Sequence, residues 1–281
     1  MSRNERAALL FSRSVKGDAQ ERRLATLLGC LDLTSLEGTD TPSRIRELAN
    51  RALRPDTNRT PVAAVCVYPA RVRDAVEVLA GTTVKVAAVA GAFPSGLSLT
   101  EVVIADVAAT ARSGADEIDI VIDRSLMLSG RVSEARSLLS AQIEAAEGLP
   151  VKVILESGEL GSLEMIAQAT RTCIESGASF VKTSTGKIGV GATPAAVLTM
   201  ALELRDHYER SGVRIGLKVS GGVRLSKDAI GYSNIVLETL GDEWLKPDLF
   251  RIGASTLLDD ICLQMRFHET GSYPSDLYLP K

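Results

Sequence analysis

Histidine is nearly missing from this chain of 281 residues, where only His207 and His268 occur. A metal-dependent aldolase or amidohydrolase brings several imidazoles to one ion, so neither a metal nor another cofactor is expected. Cysteine is equally sparse. Cys30, Cys66, Cys173 and Cys262 lie far apart with no CxxC pair, and three of them sit in apolar segments such as Ala64-Val65-Cys66-Val67. That pattern reads as free core thiols in a reducing compartment, not as disulfides or a zinc site. Neither sign of charge dominates: 32 Lys and Arg face 35 Asp and Glu, a formal charge of -3. A broad nucleic-acid footprint would need a basic excess, whereas a small cationic pocket for an anionic substrate stays possible. No apolar run approaches the ~18 residues of a membrane span. The opening Met-Ser-Arg-Asn-Glu-Arg leads only to a short apolar patch at Ala7 to Phe11, a poor signal peptide. The expectation is a cytoplasmic protein whose partner is a small molecule, with no nucleic acid and no membrane.

Apolar residues are plentiful, at 45% of the chain, enough for one sizeable core. They fall in short runs rich in β-branched residues: Cys30 to Leu33, Ala63 to Val67, Val84 to Val89, Glu117 to Ile122, Val151 to Leu155, Phe180 to Lys182, Ile215 to Val219 and Asp248 to Ile252. Such runs suit parallel strands buried on both faces. Helical signals lie between them. Thr41-Pro42 and Thr193-Pro194 read as an N-cap with proline in the first turn, and Ser98-Leu99-Thr100-Glu101 as a capping box. Gly114, Gly177 and Gly212 stand at expected helix ends. The alternation, in steps of about 22 to 35 residues, is the rhythm of an α/β (β/α)8 TIM barrel. A doubly wound sheet would more naturally carry GxGxxG after its first strand, and none follows Leu33. One barrel domain over 1–281 is expected, with an extra N-terminal helix up to about Leu28 and a flexible tail from about His268.

In a barrel the chemistry sits at the C-terminal ends of the strands. Those positions hold Asp32-Leu33-Thr34, Asp119, Lys182-Thr183-Ser184 and Lys218. Charges on apolar strands require partners, so a purely structural ion-pair network is one reading. The other starts from Lys182 and Lys218 lying on adjacent strands. A neighbouring ammonium and an apolar pocket both disfavour protonation, and a neutral amine is what a Schiff base requires. Position alone does not say which lysine is the nucleophile. Asp119 is then placed to order a water and move protons. Gly186-Lys187, Gly221-Gly222 and Gly253-Ala254-Ser255-Thr256 follow the last three strands. One such loop would be a tight turn, but several together fit the phosphate cradle of barrels.

These residues stand in stretches that resemble the deoxyribose-phosphate aldolases, in their longer bacterial form. The matching stretches run from Leu31-Asp32-Leu33-Thr34 through Gly114-Ala115-Asp116-Glu117-Ile118-Asp119 and Lys152-Val153-Ile154-Leu155-Glu156-Ser157-Gly158. Phe180-Val181-Lys182-Thr183-Ser184-Thr185-Gly186-Lys187, Leu217-Lys218-Val219-Ser220-Gly221-Gly222-Val223-Arg224 and Gly253-Ala254-Ser255-Thr256 complete the series. The similarity covers roughly 25 to 265, in order. It implies metal-free, reversible cleavage of 2-deoxy-D-ribose 5-phosphate to D-glyceraldehyde 3-phosphate and acetaldehyde by a homo-oligomer, commonly a homodimer. It makes Lys182 the Schiff-base nucleophile, Lys218 the lysine that perturbs it and Asp119 the proton donor and acceptor. Thr34, Gly186, Lys187, Gly221, Gly222 and Ser255 would contact the substrate, mainly its phosphate. The chain departs from the family at Gly91-Ala92-Phe93-Pro94, which lacks an asparagine before Phe-Pro, and at Ile122-Asp123-Arg124. The family's tail ends in a tyrosine that reaches the site; here Tyr278 is followed by three more residues. Another lysine Schiff-base aldolase or transaldolase, or a non-catalytic sugar-phosphate-binding barrel, are the competing readings. The donor aldehyde separates the first, and the paired lysines with Asp119 speak against the second.

Overall fold

The structure, a computed structural model, describes residues 1–56 and 59–273. Eight parallel strands close on themselves in chain order. They are β1 (Leu31–Thr34), β2 (Ala64–Val67), β3 (Lys85–Ala90), β4 (Glu117–Val121), β5 (Val151–Ile154), β6 (Phe180–Lys182), β7 (Gly216–Ser220) and β8 (Phe250–Ala254). Around them run α3 (Pro42–Leu53), α4 (Val72–Leu79), α5 (Thr100–Ala111), α6 (Arg124–Leu128) and α7 (Val132–Ala145). The ring is completed by α8 (Leu163–Glu175), α9 (Pro194–Ser211), α10 (Ser226–Leu240) and α11 (Leu257–Thr270). This is the expected (β/α)8 barrel. No described helix is long and apolar enough to cross a membrane.

Several local expectations hold for their stated reasons. Thr41 and Thr193 accept hydrogen bonds from the backbone N–H of Arg44 and Ala196, with Pro42 and Pro194 in the first turns. Gly114, Gly177 and Gly212 all take positive φ after their helices. Others are corrected. The capping box at Ser98 does not form: α5 starts after Leu99 with no side-chain cap. Four strands run one or two residues later than the apolar runs, because β1, β3, β7 and β8 continue into the small residues Thr34, Ala90, Ser220 and Ala254. The N-terminal helix is two helices, α1 (Arg3–Phe11) and α2 (Asp18–Gly29), with Gly17 at φ +55° ahead of the second. α1 is no loose appendage, since Phe11 meets Tyr232 of α10 edge-on at 4.9 Å. At the other end α11 passes His268 and stops at Thr270, capped by Gly271. Tyr278 lies outside the described residues.

Side chains alternate along each strand. The outward set, including Leu31, Val65, Ile118, Val153, Val181, Leu217 and Ile252, joins the helices in one large apolar core. The inward set is divided. Cys66, Ala87 and Val89 form a small separate apolar cluster with Leu36, bordered by Tyr68 and Phe93. Much of the remaining interior is ionic, where barrels usually hold branched aliphatic side chains. All four cysteines are buried and free.

Candidate active site

Register brings the expected residues together. Lys182 pairs with Lys218, Lys218 with Arg251, and Asp119 with Lys152. Paired positions lie side by side and face the same way, so these side chains all enter the barrel interior. Asp119 is their hub. Its Oδ2 stands 2.7 Å from Lys182 Nζ and 2.8 Å from Lys218 Nζ, and its Oδ1 3.0 Å from Lys152 Nζ. Lys218 also meets Asp32 at 2.6 Å, and Asp32 meets Arg251 at 2.6 Å. Arg251 and Lys152 both reach Glu117, at 2.7 and 2.6 Å. Phe180 closes the lower end, its ring 5.9 Å from Lys152 Nζ and 5.8 Å from the Arg251 guanidinium. Gly216 is required opposite that ring, because a Cβ there would sit 2.2 Å from Phe180.

Charge balance separates the two lysines. Asp32, Glu117 and Asp119 offset three cations, and Lys152, Lys218 and Arg251 each touch two of these carboxylates. Among the described residues Lys182 shares Asp119 alone. Burial disfavours its ammonium, Asp119 pulls the other way, and Lys218 adds repulsion; the balance lowers the Lys182 pKa. Burial would lower Lys218 too, but Asp119 and Asp32 outweigh it and hold it cationic well above an ordinary lysine. Burial would raise Asp119, and its three lysines override that, keeping it ionised far below the usual carboxylate range. The interior therefore disfavours the ammonium of Lys182 and favours that of Lys218. The structural network foreseen in the sequence is real, and Lys182 is its least compensated member.

Lys182 is also where the network meets a pocket of about 180 Å³. Thr34, Gly186, Lys187, Gly221, Gly222 and Ser255 all line that pocket. Gly221 and Gly222 take φ +86° and +83°, a conformation that suits glycine and leaves backbone facing the cavity. Ser255 stands just ahead of α11, whose N-terminus favours an anion. The loop after β6 is fastened by Glu156, whose carboxylate accepts the hydroxyl and backbone N–H of Thr185. Burial pushes Glu156 up from its ordinary value against those bonds. Thr183 Oγ1 donates to Ser220 O and accepts from Ser220 N, each at 2.9 Å, tying the ends of β6 and β7 together. Cys66 lies 3.9 Å from Asp119 Oδ2, and burial raises its thiol pKa, in keeping with a structural thiol.

The departures from the family have local explanations. Ala92 sits at φ +57°, in the left-handed region where asparagine is enriched. Asp106 holds that corner by accepting N–H groups from Gly91 and Ala92. Asp123 caps α6 through Ser125 and Leu126, and Arg124 pairs with Glu159 at 2.8 Å. Sequence reasoning missed Glu117, Lys152 and Arg251 in the network, and Glu37, Thr185 and Arg224 in the pocket. The first three carried a usable signal: each is a charge inside an apolar strand, and Glu117 stands two residues before Asp119 on the same face. Among the described residues no group of three or more His, Cys, Asp or Glu side chains is arranged to hold a metal ion.

Known proteins align with this geometry over nearly its whole extent. The human deoxyribose-phosphate aldolase is 41% identical over 282 residues, covering 95% of this chain and 88% of the relative. The mouse deoxyribose-phosphate aldolase is 40% identical with the same coverage. A crystal structure from Toxoplasma gondii superposes with a TM-score of 0.77 over 91% of this chain and 97% of that one; at 24% identity it speaks for the fold. Residues 26–258 match the family profile described as "DeoC/LacD family aldolase", and that span carries every network and pocket residue described above. The chain belongs to the DeoC/LacD family of aldolases.

Proposed function

We propose that this chain reversibly cleaves 2-deoxy-D-ribose 5-phosphate to D-glyceraldehyde 3-phosphate and acetaldehyde through a Schiff base on Lys182. The observation that carries the reading is a buried lysine, disfavoured as an ammonium, opening onto a pocket built for an anion. Neutral Nζ of Lys182 adds to C1 of the open-chain sugar, and the carbinolamine loses water to give an iminium. The C2–C3 electron pair then moves toward that cation while the 3-hydroxyl loses its proton to Asp119 through a water. C3 departs as the aldehyde of glyceraldehyde 3-phosphate. Protonation of the enamine at C2 and hydrolysis of the imine release acetaldehyde and restore the lysine. Asp119 is already 2.7 Å from Nζ, so the iminium charge meets a fixed counter-charge without reorganisation. Burial, and after it the ammonium of Lys218, disfavours the protonated form of Lys182 between turnovers. The resemblance also carries a cytoplasmic location and a homodimer, the latter checked by sedimentation of the purified chain.

Acetaldehyde release from deoxyribose 5-phosphate is the direct test, and it should persist after exhaustive chelation because the iminium formed on Lys182 is the electron sink. Loss of activity with chelator and its return with zinc would overturn the Schiff-base reading. Phosphate recognition is separable from chemistry. Lys187→Ala removes a pocket cation, and Gly222→Val forces a branched residue to φ +83°. Each should lower kcat/KM for the phosphorylated sugar by roughly 10- to 100-fold and affect unphosphorylated deoxyribose much less. Equal losses on both sugars would place these residues elsewhere in the mechanism.

A further inference from the structure

The phosphate pocket contains a carboxylate. Glu37, in the loop after β1, lines the same cavity as Lys187, Arg224, Gly221 and Gly222, and its Oε1 lies 3.1 Å from Lys187 Nζ. We propose that Glu37 is a specificity-determining residue, an internal tenant of the anion site that the substrate phosphate must displace. This rests on the reading of that pocket as the phosphate site.

Three observations carry it. The Glu37 and Lys187 side chains are 58% and 27% exposed, so their pair is partly screened, adds little to stability and is easily broken. The loop backbone is pinned by Asp40, which accepts the Glu37 N–H at 3.0 Å and the Ser35 hydroxyl at 2.8 Å. Only the Glu37 side chain is therefore left to move. Glu37 also lines a neighbouring cavity of about 510 Å³ together with Arg44 and Arg51, so there is space for the displaced carboxylate beside guanidiniums that already pair with Asp40 and Asp259. With Glu37 in place, an arriving dianion meets a like charge and a lysine already engaged. Both effects lower its affinity.

Calorimetric titration of the full chain with inorganic phosphate tests the proposal without turnover. Glu37→Gln should tighten phosphate binding about three- to tenfold, and raise the preference for deoxyribose 5-phosphate over deoxyribose by a similar factor. Glu144→Gln, which removes an exposed carboxylate in the last turn of α7 at the opposite pole, should do neither. Unchanged binding in Glu37→Gln would overturn the proposal. So would weaker binding, which would make Glu37 a support for Lys187, and so would equal tightening in Glu144→Gln, which would reduce the effect to net charge. A wild-type chain that binds phosphate but cleaves no sugar would instead refute the assigned reaction and leave the binding comparison valid.

Discussion

Replacing Lys182 with leucine should abolish turnover, by on the order of 10⁴-fold or more, as when a covalent nucleophile is removed. Incubation with acetaldehyde or substrate followed by borohydride should place a stable adduct on Lys182 in the wild type and no specific adduct in the variant. Lys218→Leu should behave differently. It leaves the nucleophile in place but deletes the ammonium that, with burial, disfavours the Lys182 proton. The Lys182 pKa rises, the fraction of neutral amine at pH 7 falls, and trapping slows. Because a neutral amine is the reactive form, raising the pH should restore trapping, and the pH–rate profile should move to the alkaline side. Peptide mass spectrometry decides between the lysines. An adduct mainly on Lys218, with Lys182→Leu still active, would exchange their roles.

Asp119→Asn should damage folding and catalysis together. In the wild type Asp119 faces Lys152, Lys182 and Lys218 at 2.7 to 3.0 Å. After substitution Lys152 keeps Glu117 and Lys218 keeps Asp32, while Lys182 loses the one carboxylate paired with it among the described residues. Breaking a buried pair by removing one partner costs about 3–5 kcal/mol, and here the remaining ammoniums also repel. The folded pKa of Lys182, already lowered, should drop further without Asp119, so the folded state binds fewer protons than the unfolded chain. Stability then rises with pH, and the deficit is largest well below the ordinary lysine value of about 10.4. In the wild type Lys182 alone among these lysines has that sign, and Asp119 and Lys218 act otherwise. The depressed Asp119 stabilises above the unfolded carboxylate value of about 4, and that contribution is lost as pH falls through the folded pKa. The raised Lys218 stabilises below about 10.4 and loses its contribution as pH climbs through its folded value. The rise in urea midpoint from pH 6 to pH 9 should therefore be larger in Asp119→Asn than in the wild type, where only Lys182 is depressed among the three lysines. A variant as stable as the parent at pH 6 would contradict the ion-pair account.

The barrel was legible because its signals are local. Thr41-Pro42 and Thr193-Pro194 cap helices by chemistry contained within four residues, and parallel strands announce themselves as short apolar runs. Lys182, Lys218 and Asp119 were legible for the opposite reason: a charge in such a run violates the pattern and demands an explanation. The same logic was available for Lys152 and Arg251, but their partners emerge only from register between strands far apart in the chain. Glu37 carried no such signal. It stands in a polar loop, and its place opposite Lys187 depends on how the first and sixth strands close the circle. The Ser98 capping box failed because the chain enters α5 one residue later than the motif suggests.

Lys182 and Lys218 face each other as register partners. A slip of one residue between β6 and β7 would turn one lysine out toward the helices and leave the other without its neighbour. The same holds for Asp119 and Lys152 on β4 and β5. The barrel thus has no near-native misalignment that keeps the reaction centre whole. Catalytic competence doubles as proofreading of closure: a molecule that turns over substrate has, by that fact, assembled its strands in their correct stagger, and specific activity reports the correctly closed fraction of a preparation.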